Sequence, residues 1–412
     1  MNSKQRNVWL RRTVVIVTVV SLAVLIGWPV LEYLLQSAVH DDPTLLTERS
    51  ESLGQIRLRL INTFGYVWFF FVGATLGSFM NVVVWRMPRG KSVVSTPSSC
   101  PFCCTKIKSF DNVPVLGWIM LGGKCRACRL PISSRYPIVE ALVGTVFVLL
   151  LQVELLSGGA NLPGIESARY LGFSGVLFEL NWNIIGPYGY HCLMFCLLIV
   201  WMLIAYDRQR IPIKSIAFAV IVGMVLPLVW PQLMIVQWAP FHWNGLADPQ
   251  RVNLAMSLIV GGLAGGVLGL IIRSCKFMPV GSSDQVNRTR GWEVFAILLT
   301  VGIFLGWQAA LIIAAISMAV EAVIALSYKI KQADNNSATV GFVLMAVTLI
   351  YVCNWNIFDP SIYWPGKAFL VNSLYLPLTL LMASLIGLRI GTYRQEIDMT
   401  RFAKISDPKL AE

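Results

Sequence analysis

Four cysteines in two C-x-x-C pairs have the residue type and spacing that most clearly indicate chemistry. The two pairs are separated by 21 residues, and two such hooks at this distance are typical of a tetrahedral zinc site with four thiolate ligands. Four thiolates leave no open coordination position for water, so the predicted metal is structural and orders a loop otherwise too small and polar to fold. The predicted ligands are Cys100, Cys103, Cys125 and Cys128.

The cysteine loop lies between two apolar runs, and similar runs recur along the chain. Of 412 residues, 56% are hydrophobic and 13% are charged, whereas a soluble domain carries roughly a quarter charged residues. Runs of about 20 apolar residues are long enough to cross a bilayer core of about 30 Å. The sequence therefore predicts an all-α polytopic membrane protein, a bundle of about ten transmembrane helices with a small cytoplasmic zinc-knuckle loop. After a first span that ends near residue 35, the predicted spans cover about 64–85, 137–157, 188–206, 215–234, 253–272, a pair within 293–326 that turns at Gly306, 339–353 and 369–388.

The formal charge of +12 raises the question of nucleic-acid binding, but the placement of the charges favours membrane topology. Lys and Arg are concentrated in short loops between spans, which is the pattern of cytoplasmic loops. Residues 86–135 carry nine Lys and Arg against one acid, Asp111, so this loop is predicted to face the cytoplasm. That compartment is reducing and favours metal-bound thiolates over disulfides. The lipid bilayer is a predicted partner, and nucleic acid is not.

Polar residues inside the predicted spans are candidate binding residues, because they are costly there without partners. Ser78 and Asn81 lie one helical turn apart and either line a substrate groove or form hydrogen bonds between helices. Glu140, early in the third span, is predicted either to bind substrate or to form a structural ion pair with Arg135 or the adjacent tyrosine. Glu321 lies mid-span and is predicted to be buried and hydrogen-bonded.

Three further stretches surround the cysteine pairs. They read GSFMNVVVWRMPRG (77–90), FDNVPVLGW (110–118) and PISSRYPIVEALVG (131–144). In this order, with the cysteine pairs, they resemble the N-terminal half of the bacterial type IV prepilin peptidases. A weaker likeness continues through 205–212 and 302–310, while the first 60 and last 80 or so residues lie outside it.

The resemblance implies a bifunctional enzyme of the bacterial inner membrane. Such an enzyme cleaves the leader from a type IV prepilin or type II pseudopilin and methylates the new N-terminus. Methylation would need S-adenosylmethionine, which only the resemblance implies, since the sequence has no glycine-rich Rossmann signature. The charge pattern adds that both termini lie in the cytoplasm.

The predicted organisation has four parts. They are an N-terminal anchor helix with an external segment at 1–62, the first family helix with the zinc-binding loop at 63–136, a peptidase-like helical bundle at 137–328, and additional helices with a basic cytoplasmic tail at 329–412.

The resemblance also implies an aspartyl mechanism. Two carboxyl groups at the cytoplasmic ends of two spans would activate water, one as base and the other as acid. The two aspartate positions of the family fall on Ala205 and Val294, and the nearest acids are Asp207 and Glu293. Asp284 is a more distant substitute for the second.

Two interpretations of these acids are open at this point. If Asp207 and Glu293 meet, the chain is an aspartic-type endopeptidase with both usual aspartate positions altered. If Asp207 is an interfacial charge and Glu293 only complements the helix dipole, the chain is a catalytically inactive paralogue. Such a paralogue would be a binding or assembly partner of a pilus or secretion system.

Overall fold

The computed structural model describes seven stretches of the chain, which are 45–94, 98–165, 172–236, 249–277, 291–328, 337–358 and 374–388. The first predicted span, Asp284 and the basic tail lie outside these residues. The chain divides into two compact units. Unit 1 is Met1–Ala160 with Glu166–Tyr188, and unit 2 is Asn161–Ile165 with Gly189–Glu412.

Unit 1 is built on two long helices joined by the cysteine loop. Helix α1 (Leu45–Arg86) precedes the loop, and the loop contains the 3-10 turns Met87–Arg89 and Ser109–Asp111 and the short helix α2 (Leu116–Met120). The loop is followed by α3 (Arg135–Leu150), its π-helical continuation Leu151–Leu156, and α4 (Phe173–Phe178).

Unit 2 contains most of α5 and the helices that follow it. They are α5 (Trp182–Tyr206), α6 (Ile213–Val229), α7 (Pro249–Phe277), α8 (Trp292–Leu305), α9 (Trp307–Tyr328), α10 (Ser337–Cys353), α11 (Trp355–Phe358) and α12 (Tyr375–Leu388).

The predicted membrane fold is confirmed. Five helices are long and apolar enough to cross a membrane, and four shorter helices are also apolar. Each of these overlaps a predicted span, and the predicted span without a counterpart is the first, which lies outside the described residues. In the described part of the chain there is no β-strand, only two isolated bridges within the cysteine loop. The chain is an all-α polytopic membrane protein.

Helix α8 ends at the predicted turn. Its 14 residues span about 21 Å, less than a bilayer core of about 30 Å. Gly306 follows with φ of 92°, in the region that favours glycine, and α9 begins at the next residue. Nearly every side chain of α8 is buried, so this helix is an internal element of unit 2.

Glycines bring helices α1 and α3 into backbone contact. A Cβ atom added at Gly73 would lie 2.9 Å from the Cα of Gly144, and one added at Gly77 would lie 2.8 Å from the Cα of Glu140. Small residues four apart permit this approach. It fixes the two spans that flank the cysteine loop against each other.

Glycines also bring α7 and α8 into backbone contact, as the GGLAGGVLG stretch of α7 predicts. Three glycines of α7 follow one another at intervals of four residues and meet positions of α8 that run in the reverse order, so the two helices are antiparallel. Cβ atoms added at Gly261, Gly265 and Gly269 would lie 2.0 Å from Gly302 O, 2.0 Å from Leu298 O and 2.6 Å from Phe295 Cα.

Candidate functional site

The two C-x-x-C pairs fold into two equivalent turns of the cysteine loop. In the first turn the Cys104 amide donates to Cys100 O at 3.0 Å, and in the second the Arg129 amide donates to Cys125 O at 3.1 Å. The structure thus contains a local repeat that is not evident in the sequence, where the two turns share little beyond their cysteines. An isolated β-bridge closes each turn, between Ser99 and Lys106 and between Lys124 and Pro131.

The residue after each pair has a left-handed backbone conformation. The φ angle is 56° at Cys104 and 61° at Arg129, a region that residues other than glycine enter at a cost. Both turns have this left-handed residue although its side chain differs between them. The conformation is therefore a property of the backbone fold of the knuckle.

The four predicted ligands meet at one point in unit 1. All four Sγ atoms lie within 4.8 Å of one another, with 3.8 Å between Cys100 and Cys128 and 3.9 Å between Cys103 and Cys125. These distances are far beyond a disulfide bond of about 2.0 Å. Tetrahedral zinc with Zn–S bonds of about 2.3 Å separates its sulfur ligands by about 3.8 Å. The cluster therefore has the size and donor set of a tetrahedral metal site.

Three thiols of the cluster have shifted pKa values, because their hydrogen bonds and burial differ. The side chain and backbone of Thr105 lower the pKa of Cys103 to about 6, and backbone N–H groups of Cys128 and Ala127 lower the pKa of Cys125. A backbone bond from Leu130 favours the Cys128 thiolate, but burial and the neighbouring thiols outweigh it and raise the pKa of Cys128 to about 11. Without a cation nearby, these pKa values favour the thiolate at Cys103 and the thiol at Cys128, and a bound divalent metal would favour the thiolate at both.

Side chains of the loop fix the second turn in place. Arg126 donates to both carboxylate oxygens of Asp111, at 2.5 and 2.7 Å, and these hydrogen bonds lower the pKa of Asp111. The Arg126 guanidinium also lies 5.2 Å from the centre of the Phe110 ring. Trp118 of α2 donates its indole N–H to Ile132 O at 3.0 Å. The loop therefore has its own polar scaffold around the cysteine cluster.

Ser78, Asn81 and Glu140 meet where α1 packs on α3. Glu140 accepts a hydrogen bond from the Val115 amide at 2.7 Å and a second from the Ser78 side chain. Asn81 donates its side-chain amide to Tyr136 O at 3.2 Å. Of the two predicted roles of Ser78 and Asn81, hydrogen bonding between helices is therefore present in the structure. Binding of substrate by these three residues stays a prediction.

Asp207 lies in the turn that ends α5 and is half-buried. The Arg208 amide donates to Ala205 O at 2.9 Å and the Gln209 amide donates to Ile204 O at 3.0 Å. With φ of 54° at Arg208, this is a Schellman-type helix end. The backbone that carries Asp207 is thus held in one defined conformation.

Glu293 lies in the first turn of α8 and is only 3% exposed. A Cβ atom added at Gly341 of α10 would lie 3.9 Å from Glu293 Cγ and 3.8 Å from Met202 Cγ. Met202 precedes Asp207 by five residues on α5. The end of α5 and the beginning of α8 therefore lie against the same position of α10, which brings together the two elements that carry the candidate acids. Direct contact of the two carboxyl groups stays a prediction.

A buried ion pair that the sequence did not predict joins α7 to α9. Lys276 Nζ bonds to Glu321 Oε2, and the two side chains are 8% and 3% exposed. One turn earlier on α7, the Arg273 guanidinium lies 4.5 Å from the centre of the Trp292 ring at the start of α8. The predicted span ended at residue 272, whereas α7 continues to Phe277. Glu321 is buried and hydrogen-bonded, as predicted, but the partner could not be identified from the sequence.

Comparison with protein families agrees with the resemblance seen in the sequence motifs. Residues 71–153 match the family model described as Bacterial Peptidase A24 N-terminal domain. This range contains the last part of α1, the cysteine loop and the whole of α3. No solved structure matches the chain.

Three relatives give the extent of the similarity. A prepilin leader peptidase/N-methyltransferase from Klebsiella pneumoniae is 30% identical over 246 residues, which cover 58% of this chain and 85% of that protein. A protein of the same name from Myxococcus xanthus is 44% identical over 81 residues, 20% of this chain and 24% of that protein. A type 4 prepilin-like proteins leader peptide-processing enzyme from Escherichia coli is 37% identical over 128 residues, 27% of this chain and 48% of that protein. The chain thus spans about a quarter and about half of the last two relatives.

Proposed function

The chain belongs to the prepilin leader peptidase/N-methyltransferase family, and we propose that it cleaves the leader from type IV prepilins or type II pseudopilins. The observation that carries this proposal is the alignment over 85% of the Klebsiella pneumoniae relative, whose name describes a leader peptidase. The proposed location is the bacterial inner membrane, with the basic loops and both termini in the cytoplasm.

The proposed metal is zinc, bound by the four thiolates of the cysteine loop. Its role is structural, because four protein ligands leave no position for water or substrate. When bound, it supplies the positive charge that keeps the thiols ionised and the two turns together. The donor set and the sulfur spacing support this assignment.

Asp207 and Glu293 are the proposed catalytic pair. One carboxylate takes a proton from water as the water oxygen attacks the scissile carbonyl, and the other carboxyl group donates a proton to the leaving amine. The support for this pair is the shared packing of α5 and α8 against Gly341. Substrate would reach the pair from the side of the membrane on which α5 ends and α8 begins.

A cleavage assay in membranes tests the pair. We expect Asp207→Asn and Glu293→Gln each to lower the rate of prepilin cleavage by at least about 100-fold, the lower range for loss of a general acid or base. Glu179→Gln is the matched control, because Glu179 is an exposed acid that belongs to unit 1, whereas both candidate acids belong to unit 2. Equal cleavage by all three variants and the wild type would reject the assignment of the two acids.

A second candidate function is supported by the side chains at the usual aspartate positions. Ala205 and Val294 are apolar and only 7% and 0% exposed, so neither position itself supplies a carboxyl group. On this alternative the chain is an inactive paralogue that binds a pilus or secretion-system partner. Binding of several prepilins and pseudopilins by the wild type, without cleavage of any of them, would favour the paralogue.

Methylation of the new N-terminus is proposed only from the names of the relatives. A glycine-rich strand–turn–helix site for S-adenosylmethionine does not occur among the described residues, which form helices and two isolated bridges. No residue of this chain is therefore assigned to that cofactor. Incubation with prepilin and labelled S-adenosylmethionine tests the activity separately from cleavage.

A further inference from the structure

Helix α2 of the cysteine loop lies beside a membrane span. Val115, directly before α2, donates its amide to Glu140 at 2.7 Å. Glu140 is five residues into α3, about 7.5 Å along its axis. Trp85 at the end of α1 and Tyr136 at the start of α3 are 47% and 44% exposed, and such aromatic residues are typical of the membrane–water interface. The start of α2 is thus held at the depth of that interface.

One face of α2 is apolar and exposed. Leu116 and Met120 are 39% and 72% exposed and lie four residues apart, so they share a face of the helix. On the opposite side Trp118 bonds to Ile132 O at 3.0 Å, and a Cβ added at Gly123 would lie 2.8 Å from the Trp118 ring. These contacts fix the orientation of α2, with Leu116 and Met120 outward.

The polar surface of the loop is basic. The loop contains nine Lys and Arg residues but a single acid, Asp111. That acid is already paired with Arg126. The remaining positive charge is complementary to an anionic surface. The exposed cations of the loop include Arg89, Lys91, Lys106, Lys108 and Arg129.

We propose that the cysteine loop is docked on the bilayer that holds α1 and α3, with the Leu116–Met120 face of α2 among lipid tails and the exposed Lys and Arg on anionic headgroups. An apolar face flanked by cations is the composition of an interfacial helix, and anionic leaflets attract basic segments next to transmembrane helices. The hydrogen bond from Val115 to Glu140 argues for lipid as the occupant, because it places this face beside a span. Docking of the loop on lipid does not depend on peptidase activity.

Photo-crosslinking in nanodiscs tests the apolar contact. The full chain carries p-benzoylphenylalanine at position 120, in discs of phosphatidylcholine with about 30% phosphatidylglycerol. Irradiation is expected to yield lipid adducts, in protein whose metal content equals that of the wild type. If the probe at 120 displaces the metal, the same probe at Leu116 is used. Absence of lipid adducts in a metal-loaded chain overturns the insertion. The same probe is also irradiated in native membranes, where adducts with another polypeptide instead of lipid would overturn it as well.

Amide exchange tests the charge contribution. Exchange over 113–121 is expected to be at least about threefold slower with phosphatidylglycerol than with phosphatidylcholine alone, given that each basic residue near an anionic surface gains about fivefold in affinity. The double variant Lys106→Gln, Lys108→Gln should reduce this difference, whereas Lys106→Arg, Lys108→Arg should keep it. Equal exchange in both lipids for the wild type overturns the anionic contact.

Discussion

Cys103 and Cys104 are adjacent, but only Cys103 belongs to the four-thiol cluster. Cys104 is exposed and left-handed, a conformation that glycine adopts without a Cβ penalty. We expect Cys104→Gly to retain zinc, whereas Cys103→Ser should weaken binding by more than about 100-fold, because loss of an outer-shell partner alone costs about 10- to 100-fold. Metal content after dialysis against a competing chelator measures both. Full retention by Cys103→Ser would contradict the four-ligand site.

Asp111 gives the loop a pH dependence of known sign. Hydrogen bonds from Arg126 lower the pKa of Asp111 below its unfolded value, which is about 3.9. Its stabilising contribution is therefore fully present above about pH 4 and is lost as the pH falls through the lowered value. We expect Asp111→Asn to release zinc faster than the wild type, by a constant factor between about pH 6 and 8. A factor that changes steeply within that range would show that another group controls the difference.

Among single residues, the sequence predicts the cysteine cluster better than it predicts hydrogen-bond partners. Cysteine spacing was sufficient to identify the four thiols that lie together, because each C-x-x-C pair is a local turn. The bond from Val115 to Glu140 joins residues 25 apart, and that from Lys276 to Glu321 joins residues 45 apart. Such contacts depend on how helices and loops pack, which no local pattern specifies.

At the scale of elements, the glycines of α7 divide sharply by the space around them. A Cβ at Gly265 would lie 2.0 Å from the backbone oxygen of Leu298, whereas one at the adjacent Gly266 would have its nearest neighbour, a Phe295 ring atom, at 3.4 Å. We expect Gly265→Ala to destabilise unit 2 by about 1–3 kcal/mol, the usual cost of overpacking. Gly266→Ala should be neutral or slightly stabilising, because alanine favours helix. Thermal unfolding in detergent measures both.

Equal stability of the Gly265 and Gly266 variants would show that α7 and α8 separate easily and that their close contact contributes little. The helices themselves were predictable, because long apolar runs between charged loops have few alternatives in a membrane. The short length and deep burial of α8 were less so. An apolar run has the same composition whether it faces lipid or other helices. Only the packing of neighbouring helices against α8 distinguishes the two.

For the whole molecule, all four proposed metal ligands belong to unit 1, and the candidate acids Asp207 and Glu293 belong to unit 2. The loop has little besides the proposed metal and its polar scaffold to hold it folded, since most of its large apolar side chains are half-buried or exposed. Unit 2 has its own buried core, with Trp201, Phe195 and Phe304 almost wholly enclosed. The two units should therefore respond differently to removal of the metal.

Chelation should unfold the loop and leave the bundle of unit 2 intact. We expect amide exchange over 98–134 to rise by at least about 100-fold, since structural zinc contributes many kcal/mol of folding free energy. Exchange in α7 and α8 should not change, because their contacts contain no cysteine ligand. Hydrogen exchange with mass spectrometry, before and after chelation, measures both regions, and Cys104→Gly with its zinc retained serves as the control for a loop change without metal loss. Faster exchange in α8 after chelation would mean that the metal also supports the elements that carry Glu293, and the zinc would then have to be counted among the determinants of cleavage.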